Sequence, residues 1–365
     1  MAQIPILYNC FLNNSGYATA AQDYILALDQ SSKYDIKIEI FGTRPTRPSV
    51  SDERYEFLMK LQKKELNFDA IQVLHCIPPI QKRVTKLKKN IAFVVFETFQ
   101  PDKLWIDILN NNDAMIAVSK FNYKVFAHEK ITKPLFYLPH CFDINIYNKN
   151  VKSLKKFDIF TFLFMGTWKV RKGYIQLIEA WLTEFNTQDN VQLVIKTDKP
   201  QYASNYVEKI KKELGKSKGF APILFEKQVL GENLMPSFMK SFDCLVLPSL
   251  GEGFYIPALH SMALGVPVII SNFSGCQDYA NNDTATLLEP SGFILHNDMD
   301  GIPQFKNKKW AFIAVKDIRE KMRYAINNID ILKDKSKVAY NYVHENFNYN
   351  KVANLFGEMI GEIYG

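Results

Sequence analysis

The sequence predicts an α/β protein made of two doubly wound, Rossmann-like domains in series. Three observations carry that expectation. Short apolar runs alternate with longer amphipathic ones along most of the chain, the rhythm of βαβ units around parallel sheets. At 365 residues the chain exceeds one comfortable domain. A polar, lysine-rich stretch, NKNVKSLKKFD at 148–158, separates two similar halves. The expected domains are therefore 1–152 and 153–347, with a helix at about 348–365 packing back on the first.

In the first half, strands are read at IPILYNC (4–10), IKIEIFG (36–42), AIQVLHC (70–76), IAFVVFE (91–97), AMIAVS (114–119) and LFYLPH (135–140). Helices are read at 17–30 and 120–129. In the second half the strands are IFTFLFMG (159–166), VQLVIKT (191–197), PILFEKQV (222–229), CLVLPS (244–249) and VPVIIS (266–271), with a helix at 173–185. Pro257 suits the first turn of a helix running to about 264, which Gly265 and Pro267 end. The last 50 residues read as helical, from 316–329 through 351–365. Ligands of open parallel sheets bind beyond the carboxyl ends of the strands. Two such domains facing each other across a central cleft would bring those ends together.

Hydrophobic residues make up 47% and charged residues 23%, the balance of an ordinary globular protein. A net charge of +7 favours anionic partners without choosing among them. Five scattered cysteines without a C-x-x-C pair read as reduced, mostly buried thiols. With no signal peptide pattern and no apolar run of membrane-spanning length, a cytoplasmic location is expected.

Chemistry is read at three places. Gly16, in NNSGYATAA, lies at the first strand-to-helix turn, where backbone can approach an anion. Arg171 and Lys172 precede Gly173 and a helix, an arrangement suited to a diphosphate: arginine offers a planar fork and lysine a point charge. In PSLGEGFYIPALHSMALGVPVIIS (248–271), Glu252 stands between Gly251 and Gly253 just before a helix that carries His260. A carboxylate there can accept hydrogen bonds from vicinal hydroxyls. The alternative is a surface acid and a packed helical histidine.

The run LPSLGEGFYIPALHSMALGVPVIISNFSG resembles the donor-site signature of the family 4 glycosyltransferases, retaining enzymes of the GT-B fold. NNSGYATAAQDYILAL, FETFQPDKLW, YLPHCFD and RKGYIQLIEAW resemble further segments of that family in the right order. The resemblance implies a hexose moved from a nucleotide sugar to a hydroxyl of a glycan, lipid or protein acceptor, or else a degenerate module that only binds. By it, Glu252 holds donor-sugar hydroxyls, and Gly253 and Phe254 offer backbone amides. Lys172 and Arg171 neutralise the leaving diphosphate, Gly16 faces it, and Glu97 stands near the reacting sugar. Val229 and Leu234 border the nucleotide base. No cofactor or metal is implied beyond the UDP-, GDP- or ADP-sugar itself.

The chain also departs from the pattern. His260 replaces the second glutamate, which holds the ribose; Thr167 stands where an arginine is usual; and Tyr255 replaces a glycine. Asp298 and Asp300, in NDMDG, have the spacing of a metal-binding acidic pair in a polar loop. His75 and His140 end strands, with a structural role as open as a functional one. The basic run QKRVTKLKKN (81–90) reads as a solvated face, with a peripheral membrane contact as the alternative. No nucleic-acid motif is present.

Overall fold

The structure is a computed structural model describing residues 2–42, 47–215 and 219–364. The chain divides into two compact units. One comprises Met1–Asn145, Gly231–Asn233 and His344–Gly365, the other Ile146–Leu230 and Leu234–Val343. These borders fall a few residues ahead of 152 and 347.

In the first unit, β1 (Ile4–Cys10), β2 (Tyr34–Ile40), β3 (Ile71–His75), β4 (Lys89–Val94), β5 (Ala114–Ala117) and β6 (Leu135–Tyr137) form one sheet, ordered β2-β1-β3-β4-β5-β6. Every pairing is parallel. β3 is buried throughout, as a parallel strand covered on both faces should be, whereas β2 alternates at the sheet edge. Helices α1 (Gly16–Gln30), α2 (Asp52–Lys63), α3 (Lys103–Asn110) and α4 (Lys120–His128) connect the strands. Ser15, Ser51 and Ser119 cap α1, α2 and α4 by accepting from Ala18, Arg54 and Asn122 N–H.

The second unit repeats the plan with β7 (Phe160–Met165), β8 (Val191–Lys196), β9 (Ile223–Glu226), β10 (Cys244–Leu247), β11 (Val268–Ser271) and β12 (Thr286–Leu288). Their order is β12-β11-β10-β7-β8-β9, again parallel. Its helices are α5 (Tyr174–Glu184), α6 (Pro200–Glu213), α7 (Met235–Met239), α8 (Ile256–Ala263) and α9 (Val315–Asn327). Trp181 fills the core beside Phe162 and Phe185, its indole N–H donating to Ala221 O at 3.2 Å. The chain leaves this unit within α10 (Ile329–Asn346) and finishes in α11 (Tyr349–Tyr364), which packs on α1.

Several boundaries differ from the sequence expectation, each for a local reason. The strand read to 119 stops at Ala117 because Ser119 caps α4. The strand read to 140 stops at Tyr137, ahead of Pro139, which has no N–H for a ladder. α6 ends at Glu213, Gly215 turns left-handed at φ 67°, and residues 216–218 lie outside the described residues. The polar loop containing Asp298 and Asp300 is present as read, and it joins the strands of an antiparallel hairpin that was not expected, β13 (Pro290–His296) and β14 (Lys308–Ile313).

All five cysteine thiols are buried and unpaired. Among the described residues no helix is long and apolar enough to cross a membrane.

Candidate active site

In the second sheet the strand order reverses between β7 and β10, the switch point where ligands of doubly wound sheets bind. The segment after β7 carries Arg171 and Lys172, and the segment after β10 carries Glu252. The two segments are stitched together: Leu250 N–H donates to Arg171 O at 2.7 Å, and Ser249 Oγ lies 3.0 Å from the same oxygen. Gly173 makes this approach feasible. A side chain at that position would start 1.9 Å from Pro248 O, and the backbone is left-handed at φ 74°.

Glu252 is only 4% exposed. Its Oε2 lies 2.9 Å from Arg171 Nη1, and its Oε1 lies 2.7 Å from Lys172 Nζ. Ser249 Oγ–H donates to Oε1 at 2.7 Å. Burial alone would push this carboxyl group up, but the Arg171 and Lys172 charges and the hydrogen bonds from Lys172 and Ser249 hold it below its ordinary value. The backbone of Glu252 is fixed as well. Its N–H donates to Ser274 Oγ at 2.9 Å, and its carbonyl accepts from Gly275 N–H at 2.9 Å. A Cβ on Gly275 would stand 1.9 Å from Gly253 O, so this contact admits only glycine.

Tyr255, at the mouth of α8, is left-handed at φ 70°, a costly conformation for a bulky residue. Tyr279 Oη–H bridges the carbonyls of Phe254 and Tyr255 at 2.6 and 3.0 Å and holds the turn. The Tyr255 ring lies 4.0 Å beneath Lys172 Nζ, and its hydroxyl donates to Met165 O at 3.2 Å. The result is a desolvated set of charges at the switch point, with a hydroxyl-seeking acid and two phosphate-seeking cations in direct contact.

The other residues singled out in the sequence divide between this site and places away from it. Gly253 and Phe254 are buried in the Glu252 turn. Thr167, Val229 and Leu234 are exposed and are not among the contacts of Glu252. His260 does not stand open: it is 6% exposed, with its ring stacked on Tyr147 at 3.8 Å. Asp298 and Asp300 part company, Asp298 being exposed while the Asp300 side chain is buried 3.6 Å from Arg171 Nε.

Gly16 and Glu97 belong to the first unit, where Gly16 opens α1 and Glu97 follows β4. In the same unit His75 is packed in the core. It is stacked on Phe93 at 4.1 Å with Nδ1 2.9 Å from Tyr8 Oη, and His140 Nδ1 lies 3.3 Å from Tyr24 Oη. The basic run places Lys82, Arg83, Lys86 and Lys88 in solvent while Leu87 and Val84 pack near Leu7 and Ala70.

Ser249, Ser274 and Tyr279 organise the site but were not singled out in the sequence. Ser249 carried a signal, a hydroxyl three residues from an acid in a strand-end turn. Ser274 and Tyr279 reach the turn from 22 and 24–25 residues away, and only the fold brings them there.

The sequence model of the family "Glycosyl transferases group 1" matches residues 159–296. That stretch is a group 1 glycosyl transferase domain. Over 116 residues, 30% of this chain, the sequence is 30% identical to the UDP-Gal:alpha-D-GlcNAc-diphosphoundecaprenol alpha-1,3-galactosyltransferase of Escherichia coli. Over 121 residues, 33% of the chain, it is 31% identical to an uncharacterized glycosyltransferase of Methanocaldococcus jannaschii. These matches span 28% and 29% of the relatives' own lengths.

The fold is shared more widely. Anabaena HepE in complex with UDP-glucose superposes with a TM-score of 0.71 at 12% identity, covering 99% of this chain and 100% of HepE. Sucrose-phosphate synthase from Thermosynechococcus elongatus gives 0.66 at 14% identity, covering 99% of both chains. The two doubly wound sheets expected of the GT-B class are thus present, and the glycosyl transferase domain holds Glu252, Arg171 and Lys172 together.

Proposed function

We propose that this chain is a retaining hexosyltransferase that moves a sugar from a nucleotide-activated donor to a hydroxyl of a glycan, lipid or protein acceptor. The observation that carries this reading is the Glu252 carboxylate, buried at the switch point of a group 1 glycosyl transferase domain and matched by Arg171 and Lys172. A diphosphate entering beside Glu252 offers oxygens to both cations. Their attraction grows as the bond to the sugar breaks and charge collects on the leaving group, which is the condition for catalysis rather than mere binding.

Glu252 then accepts hydrogen bonds from the donor-sugar hydroxyls, while Gly253 and Phe254 present backbone N–H groups. The bonding electrons leave with the diphosphate, which takes the proton of the acceptor hydroxyl on the same face. That route retains configuration without a covalent enzyme intermediate. Val229 and Leu234 border the base and Thr167 the phosphates. For Gly16 and Glu97 the proposed roles rest on the family resemblance alone. The nucleotide sugar is substrate, and no resident cofactor enters the scheme.

HepE, whose complex holds UDP-glucose, and the E. coli galactosyltransferase, named for a UDP-sugar and a lipid-linked acceptor, support a nucleotide-sugar donor. A thermal-shift screen with UDP-, GDP- and ADP-sugars identifies the donor, since a ligand of the folded state raises its apparent stability. Nucleoside diphosphate release is then measured for Lys172→Ala and Glu252→Ala. Each is expected to lose about a hundredfold or more, the scale of removing one charge-stabilising group. Release at the wild-type rate by either variant would sink the reading.

One observation favours a second reading. His260, in the place of the ribose-binding acid, is occupied by a ring stack on Tyr147. A thermal shift without release, acceptors included, would make the chain a nucleotide-sugar binder.

A further inference from the structure

Arg171 is held by two carboxylates. Glu252 takes its Nη1 edge at 2.9 Å, and Asp300 Oδ2 lies 3.6 Å from Nε on the other. The Asp300 side chain is 1% exposed, and neither of its oxygens has a hydrogen-bond partner among the described residues. A buried carboxylate that is not hydrogen-bonded is expensive to keep. It persists here because a cation stands beside it and the surrounding chain fixes its place.

That chain is the β13–β14 hairpin, which is anchored to the site twice. Ala311 N–H donates to Leu250 O at 3.0 Å, in the Glu252 turn, and Lys169 Nζ donates to Asp300 O at 3.2 Å. Met299 and Phe305 are buried on either side of the connecting loop, Phe305 against the Trp310 ring at 4.9 Å. Asp300 itself is left-handed at φ 61°, a conformation aspartate and asparagine tolerate better than most residues. It lies just beyond the family match, which ends at residue 296.

We infer that Asp300 is a positioning residue for the transfer reaction, an anchor that keeps the Arg171 guanidinium in place when Glu252 turns to the donor sugar. The inference rests on the proposed function. With Glu252 engaged elsewhere, Asp300 still faces the Nε edge of Arg171, while Nη1 keeps its contact with Gly251 O at 3.3 Å. A cation that has to be re-aimed contributes less at the moment charge develops than one already aimed.

The test uses the full chain and whichever of UDP-glucose, GDP-mannose or ADP-glucose gives the largest thermal shift. Nucleoside diphosphate release is measured for wild type, Asp300→Asn, Arg171→Ala and the double variant. Asparagine keeps the size and the left-handed preference, so the backbone is undisturbed. Asp300→Asn is expected to lose about tenfold in kcat with KM for the donor within about threefold, the signature of support given mainly in the transition state. The double variant should be no slower than Arg171→Ala, because Asp300 acts only through that arginine.

An unchanged kcat in Asp300→Asn, or losses that multiply in the double variant, would overturn the inference while leaving the proposed function intact. Absence of nucleoside diphosphate release by the wild type would overturn both.

Discussion

A side chain at position 275 would begin inside the van der Waals shell of Gly253 O, whose residue follows the acid of the site. Gly275 N–H also donates to Glu252 O, so the glycine both permits and fixes the turn. Gly275→Ala must push the 252–254 backbone away, since the obstruction is backbone and not a side chain that can swing aside. A loss of about 3 kcal/mol or more is expected, in the range of a forced backbone shift in a packed region. Denaturant melting checks it, and any folded fraction should show reduced turnover. Ser274, one residue earlier, sits at φ 62° with its hydroxyl on Glu252 N–H, so the neighbouring positions share the constraint. NFSG closes the run that resembles the donor-site signature, but no local pattern shows that Gly275 meets a turn 22 residues back.

Among elements, β3 ends in a cluster where His75 meets Phe93, Tyr8 and Tyr24, with the His140 ring beside Tyr24 and 6.4 Å from His75. Burial pushes His75 well below its ordinary value and His140 down to about 3, with the mutual repulsion of the two rings adding to the effect on His75. The folded pKa values lie below the unfolded value of 6.5, so the unfolded state binds protons first. The stability these neutral rings contribute is full above pH 6.5 and is lost as pH falls from there toward the folded values. Each contributes a slope of up to about 1.4 kcal/mol per pH unit within that window. Melting temperature should therefore fall between pH 7.5 and 5, and His140→Gln should flatten the fall. A slope unchanged by that substitution would count against the account.

The strands around this cluster were legible because buried parallel strands are nearly all apolar, as VLHC and FVVF are. The β13–β14 hairpin was not. Gly292 and the charged LysLys pair at 308–309 interrupt its pattern, and strands paired only with each other lack the continuous apolar run of a central strand. Glu252, Arg171 and Lys172 were legible because they sit in strand-end segments beside glycines. Asp300 was weighed only with Asp298, since spacing cannot reveal that one is buried against an arginine and the other solvated.

At the scale of the molecule, the first unit is tied to the end of the chain by charge as well as by packing. Asp23 on α1 accepts from Tyr349 Oη–H of α11 at 2.6 Å, and Arg54 Nη2 on α2 lies 3.5 Å from the same hydroxyl. Burial lifts Asp23 to about 6, against the opposing pull of Arg54 and Tyr349. Its folded value exceeds the unfolded 3.8, so the associated stability is full below 3.8 and is lost as pH rises through about 6. Tyr349→Phe removes the hydrogen bond that the ionised form needs most. It should cost about 1.5–3 kcal/mol at pH 8 and clearly less at pH 5, as expected for a bond to a charged group. Equal losses at both pH values would show that Asp23 does not titrate as described.

Because the first unit draws on residues 344–365 as well as 1–145, a ribosome delivers its six strands long before the helix that covers α1. At bacterial-to-eukaryotic elongation speeds that wait is on the order of tens of seconds. Throughout it the nascent chain displays an apolar flank with no cover of its own. Newly made copies should consequently depend on holding chaperones more than their finished stability would suggest.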